Sequence, residues 1–151
     1  MKQKVILLVL IALSLFLISS CGSKNSISSN LTININNINI TNKIDEKTPN
    51  NDNTYVSVVV SLQNNSNEAL NITKAGFNLI DSQGEKYNID QTFKEKALPI
   101  YRNMQPGESN LITVVFQLPK EKALSKLQYV IECQTSNNKT NTFGGEIMIN
   151  K

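Results

Sequence analysis

Apolar and polar positions alternate with the two-residue period of a half-buried β-strand through most of the chain beyond residue 30. The cleanest example is Tyr55 to Gln63, Y-V-S-V-V-V-S-L-Q. It predicts Val56, Val58, Val60 and Leu62 facing a core, with Tyr55, Ser57, Ser61 and Gln63 facing out. Asn110 to Leu118 repeats the pattern with Ile112, Val114, Phe116 and Leu118 in one phase and Val115 on the opposite face, and Pro119 stops it. Upstream, Leu31, Ile33 and Ile35 share one parity, whereas Ile38, Ile40 and Ile44 carry the other. A slip of one residue turns every later side chain to the wrong face, so a bulge is predicted at Asn36-Asn37. Such a strand is expected to serve two sheets, half in each.

Further strands are predicted from Leu70 and Ile72, resuming at Phe77 to Ile80, then at Lys86 to Ile89 and at Leu127 to Gln134. A last one runs from Thr142 to Asn150, interrupted by Gly144-Gly145. Asp81 to Glu85, D-S-Q-G-E, reads as a hairpin turn with Gly84 in the left-handed position. Gln105 to Glu108, Q-P-G-E, reads as a type II turn. Lys120 to Lys126 predicts a single helical turn. About seven short strands separated by turns predict an all-β fold, an antiparallel sandwich, with a small closed barrel as the alternative.

Gln91 to Glu108 breaks the rhythm. It has no clear period, yet it contains Phe93, Leu98, Ile100, Tyr101 and Met104 among Lys94, Lys96 and Arg102. Structureless segments of this length are uncommon in compact domains unless they are functional, and aromatic residues, Met and Arg are enriched at interface cores. Phe93, Tyr101, Arg102 and Met104 are therefore the candidate partner-binding residues. The competing reading makes the segment a lid over the open end of the sandwich.

The first residues follow another logic. Lys2 and Lys4 precede an apolar run from Val5 to Ile18, too short for the roughly 20 residues of a membrane-spanning helix. Ile18-Ser19-Ser20-Cys21 resembles the lipobox of bacterial lipoproteins, an aliphatic residue and two small ones before an acylated cysteine. The resemblance implies a removed leader at 1–20, diacylglyceryl attachment at Cys21, and location on the extracytoplasmic face of the cell membrane. Each buried methylene contributes about 0.8 kcal/mol, so two acyl chains retain a protein without further help. Residues 21–29, rich in Ser and Asn, read as a tether with a root-mean-square span of about 15 to 18 Å. The domain proper is predicted at 30–151.

Composition narrows the chemistry. The formal net charge is +3, from 15 basic and 12 acidic residues. Without Lys2 and Lys4 the balance is 13 to 12, which gives no electrostatic footprint for nucleic acid. Asn30, Asn39, Asn64, Asn71 and Asn138 match the glycosylation sequon, which we attribute to the abundance of Asn, Ser and Thr. The absence of histidine removes Ser-His-Asp and Cys-His catalysis and His-bearing zinc sites. Asp45, Glu46 and Asp52 have no calcium-loop spacing and read as a solvated loop. No catalytic residue, metal site or cofactor is predicted, and carboxylate-only hydrolysis stays open, because two acids need only meet in space. With Cys21 acylated, Cys133 has no disulfide partner, and it alternates in phase with Leu127, Tyr129 and Ile131. It is predicted to be buried and unreactive.

The order of motifs carries a family resemblance. Y-V-S-V-V-V-S-L-Q-N-N-S-N-E, F-N-L-I-D-S-Q-G-E-K-Y, Q-P-G-E and V-V-F-Q-L-P together resemble a telokin-like, immunoglobulin-like domain of unknown function found in lipoproteins of Gram-positive bacteria. The resemblance spans roughly Leu31 to Ile149. It implies a two-sheet immunoglobulin-like sandwich and no established activity. On it, Asn64, Asp81, Gly84, Pro106, Gly107, Phe116 and Pro119 fall at architectural positions. The functional expectation is a lipid-anchored module, not an enzyme, that binds an envelope protein or wall polymer. The alternative is a small-ligand carrier or sensor with a pocket between the sheets, for which a loosely packed interior would speak.

Overall fold

The computed structural model describes residues 30–149. The predicted leader, the lipobox residues Ile18, Ser19 and Ser20, the lipid site Cys21 and the 21–29 tether lie outside these residues. Strands β1 (Leu31–Thr41), β2 (Asn53–Asn64) and β6 (Ser109–Pro119) form one antiparallel sheet in the order β1-β2-β6. The second sheet has the order β4-β3-β7-β8, from β3 (Leu70–Asp81), β4 (Lys86–Asn88), β7 (Leu124–Thr135) and β8 (Thr140–Met148). The two-residue β5 (Asn103–Met104) pairs with the start of β3. The molecule is an all-β, two-sheet sandwich, as the alternation predicts.

Its core is what the period-two pattern dictates. The rows Val56, Val58, Val60 and Leu62 of β2 and Ile112, Val114, Phe116 and Leu118 of β6 point inward, with Val56 opposite Phe116 and Val58 opposite Val114. They meet Leu70, Ile72, Phe77 and Leu79 of β3 and Leu127, Ile131 and Cys133 of β7. Most of these side chains are wholly inaccessible to solvent, so the two inner faces form one apolar core.

The bulge in β1 is present. Ile35 pairs with Val60 and Asn37 with Val59, leaving Asn36 as the extra residue. Ile33, Ile35, Ile38 and Ile40 consequently all share the face of Leu62, Val60, Val58 and Val56. The strand does not divide between two sheets: it stays beside β2 along its whole length. The extra residue restores phase locally, so no change of sheet is needed. Other expectations are also corrected. Residues 120–126 form no helix, because Lys122 N–H closes a turn on the Pro119 carbonyl and β7 begins at Leu124. The four residues left between β6 and β7 cannot offset the cost of helix nucleation. Gly144-Gly145 do not interrupt β8. Gly145 lies under the Tyr129 ring, where a Cβ would stand 2.7 Å from its Oη, so glycine admits the ring.

One end of the sandwich is fastened by Asn64, which is fully buried. Its Nδ2 donates to the carbonyls of Glu68 (2.9 Å) and Met104 (3.0 Å), and its Oδ1 accepts from Ser66 N–H and Oγ. Its backbone is also engaged: its N–H donates to Glu108 O and its carbonyl accepts from Gly107 N–H. Gly107, at φ 77°, is the left-handed residue of the predicted Gln105–Glu108 turn.

Candidate functional site

The aperiodic segment after β4 is ordered as a 3-10 turn (Gln91–Phe93), a single α-turn (Lys94–Ala97) and a second 3-10 turn (Leu98–Ile100), leading into β5. Asp90 starts it by accepting from Thr92 N–H at 2.9 Å. The segment runs along β6 and crosses to β3, so it closes the sandwich on that side.

Three apolar side chains fasten it. Phe93 is buried against Tyr55 and Val115 on the outer face of the first sheet, with the two rings edge to face at 5.1 Å. Lys47 Nζ stands 5.2 Å from the Phe93 ring centre and donates to Thr92 O at 3.3 Å. This cluster corrects the expectation that Tyr55 faces solvent: it points outward from the sheet, as predicted, but the segment covers it. Tyr55 Oη then donates to Thr48 O at 3.0 Å. Ile100 and Met104 insert into the main core, and Asn110 Nδ2 holds the Pro99 carbonyl at 2.6 Å.

The four predicted binding residues therefore divide. Phe93 and Met104 are buried and belong to the lid, because the segment needs apolar anchors to offset the entropy of ordering it. Tyr101 and Arg102 remain outside. Leu98, which sequence reasoning left out of the set, joins them: Leu98 is 51 % exposed and Tyr101 46 %. Tyr101 Oη donates to Ala75 O at 3.3 Å, Arg102 pairs with Glu108, and Ile72 N–H holds Arg102 O at 3.1 Å. The result is an exposed crest of one aliphatic, one aromatic and one guanidinium group on a backbone fixed from below. Such a group can stack, bury and pair.

A second polar cluster lies at the opposite end. Asp81 is buried at the 81–85 turn, where its Oδ1 accepts from Gln83 N–H (2.8 Å) and Glu85 N–H (2.9 Å). Lys122 Nζ reaches Asp81 Oδ2 at 3.2 Å, Glu85 Oε2 at 3.1 Å and Gln83 Oε1 at 2.7 Å. Tyr87 Oη bonds to both carboxylates. Burial alone would push the Asp81 carboxyl up, but hydrogen bonds from the turn N–H groups and Lys122 outweigh it and leave it lowered. Glu85 is lowered by its bond to Lys122, and Lys122 is raised by Glu85 and Asp81. Burial, with the hydrogen bond to Glu85, pushes Tyr87 up to about 12. Every charge here has a partner, so the cluster is a clamp between the 81–85 turn and the 119–122 turn. Sequence could not pair Lys122 with groups some forty positions away.

The acidic loop after β1 is likewise engaged. Asp45 and Glu46, both at positive φ, pair with Lys96 and Lys43, each at 2.6 Å. Among the described residues no three acidic or thiol side chains converge as metal ligands would. Cys133 is fully buried, and burial pushes its thiol up to about 11. Among the described residues no helix is long and apolar enough to cross a membrane.

Solved structures share this fold at low identity. A structural genomics target, SoR45, superposes with a TM-score of 0.58 at 8 % identity, over 81 % of this chain and 87 % of that one. A candidate ApaA protein from Bordetella pertussis gives 0.53 at 12 % identity, over 80 % and 92 %. A candidate lipoprotein, ycdA, from Bacillus subtilis gives 0.50 at 18 % identity, over 80 % of this chain but 37 % of that one. No curated protein matches the chain significantly. The model of a family described as a domain of unknown function, DUF4352, matches residues 23–141, most of the sequence, and the chain belongs to that family.

Proposed function

We propose that this protein is a lipid-anchored, extracytoplasmic interaction module of the cell envelope that is not an enzyme and binds an envelope protein or wall polymer through the Leu98–Arg102 crest. The finer resemblance, to telokin-like domains of Gram-positive lipoproteins, belongs with this reading. So does the I-S-S-C ending of the apolar leader, and a candidate lipoprotein among the structural neighbours is compatible with it. The observation that carries the binding role is the division within one segment. Phe93, Ile100 and Met104 anchor it, while Leu98, Tyr101 and Arg102 are held out into solvent by backbone bonds. A rigid scaffold presenting an aromatic and an arginine loses little entropy on binding. The solvent-inaccessible inward rows favour this reading over a carrier with a pocket between the sheets.

Crosslinking in intact cells tests the reading. Tyr101→Ala and Arg102→Ala are expected to keep the thermal midpoint within a few degrees while reducing capture of a partner. Loss of stability with undiminished capture would make the crest part of the lid alone. Cys21→Ser is expected to lose its acyl chains and to be shed or remain as precursor; normal lipid labelling of that variant would overturn the anchor.

A further inference from the structure

We propose that β1 is a self-association edge: two copies of this chain pair β1 to β1 in antiparallel fashion about a two-fold axis, joining their three-stranded sheets into one of six strands. The proposal is independent of the binding role of the crest.

Its first support is position. β1 is the end strand of its sheet, with β2 as its strand partner among the described residues. An unpaired strand edge is a template for another strand, and proteins blunt it with charge, proline, a bulge or a covering element; of these β1 carries the bulge, which its own copy would match. Leu31 to Thr41 contains neither charge nor proline over 11 residues, and its inward-facing Ile40 is 58 % exposed.

The second support identifies the occupant. Thr32 to Thr41, T-I-N-I-N-N-I-N-I-T, reads the same in both directions about the Asn36-Asn37 bond. Antiparallel pairing of two copies about that point sets Thr32 opposite Thr41, Ile33 opposite Ile40, Asn34 opposite Asn39 and Ile35 opposite Ile38. Directly opposed residues in a sheet share a face. All four isoleucines face inward on each copy and Asn34, Asn37 and Asn39 face outward, so the apolar row continues across the junction and so does the amide row.

The third support is the bulge. Against β2, Asn36 is a surplus residue, and two successive asparagines separate the inward positions Ile35 and Ile38. A regular partner strand would fall out of phase at that step. A second β1 in this register presents the same step at the same place, Asn36 against Asn37, so phase holds along the whole strand. The contact is isologous and uses each β1 edge once, and it therefore closes at two copies instead of growing into a fibre. The crest lies beyond β6, at the other side of the sheet, and stays free.

Cysteine crosslinking of the full chain in its native membranes tests the register. Asn34 and Asn39 are exposed, and opposed residues in antiparallel strands fall within disulfide reach. Under mild oxidation the double variant Asn34→Cys, Asn39→Cys is expected to give one species of twice the monomer mass. Asn34→Cys alone and Asn39→Cys alone should stay at the level of the parent chain, whose Cys21 and Cys133 define the background. Adding Ile40→Lys, or Asn37→Lys at an exposed site beside the axis, should lower the crosslinked fraction at least tenfold, with an unchanged thermal midpoint reporting an intact fold. A double variant that remains at background overturns the proposal. So do single variants that crosslink as well as the double, a ladder of higher species, or indifference to both lysines in folded protein.

Discussion

Phe116 and Val115 are neighbours in sequence that occupy different interiors. Phe116 lies in the main core between the sheets, whereas Val115 completes the small outer cluster with Tyr55 and Phe93. Phe116→Ala should cost about 3 to 5 kcal/mol, the range for truncating a buried aromatic. Val115→Ala removes two methyl groups from a smaller cluster and should cost about 2 kcal/mol. Denaturant midpoints measure both, and equal losses would contradict the two-cluster description. Cys133 should label with thiol reagents far more slowly in the native protein than in the unfolded one, because burial both hides the thiol and keeps it protonated at neutral pH. The inward phase of both residues was legible in the sequence, since parity along a strand is a local property. The burial of Tyr55 was not: its cover comes from Phe93, 38 positions away, and no pattern within β2 announces it.

At the level of elements, the strands were readable and the connections only partly so. The Asn36-Asn37 bulge and the turns at Gly84 and Gly107 follow from phase and from the φ each turn requires. The seven residues after Pro119 misled because they are rich in helix formers, while Lys122 is committed to the Asp81 clamp. That clamp sets a pH response. Asp81 is lowered from 3.8 by folding, so the stability it contributes is present above about pH 4 and is lost as pH falls through its folded value. Tyr87 is raised from 10.0 to about 12, and Lys122 is raised from 10.5. Their contributions are present below about pH 10 and are lost as pH rises, for Tyr87 through about 12. In Lys122→Met the Asp81 carboxyl keeps its burial and loses a partner, so acid unfolding should begin at higher pH than in the parent. Circular dichroism across pH 2 to 7 checks it, and coincident acid limbs would mean that Lys122 contributes nothing to the clamp.

For the whole molecule, Asn64 links the start of β1, the end of β2, β5 and the 105–108 turn. Asn64→Ala would take the amide donor from the buried Met104 carbonyl, at about 1 to 3 kcal/mol, whereas the part-buried Glu68 carbonyl keeps Ser66 Oγ as a donor. Thermal unfolding should show that loss, and hydrogen exchange should place it at β5 and the adjoining turn; a loss spread evenly over both sheets would contradict the assignment. The latch also has a mechanical meaning. The described chain enters the domain at Asn30, whose carbonyl accepts from Asn65 N–H at 2.9 Å, and the crest leads directly into β5, whose Met104 carbonyl Asn64 holds. Under the proposed function, tension between the lipid anchor and a partner held at Tyr101 would run through Asn65, Asn64 and Met104 along one end of the sandwich. The far end, with its Asp81 clamp, would carry little of that pull. A tether drawn taut would strain the joint beneath the crest before it strained the core.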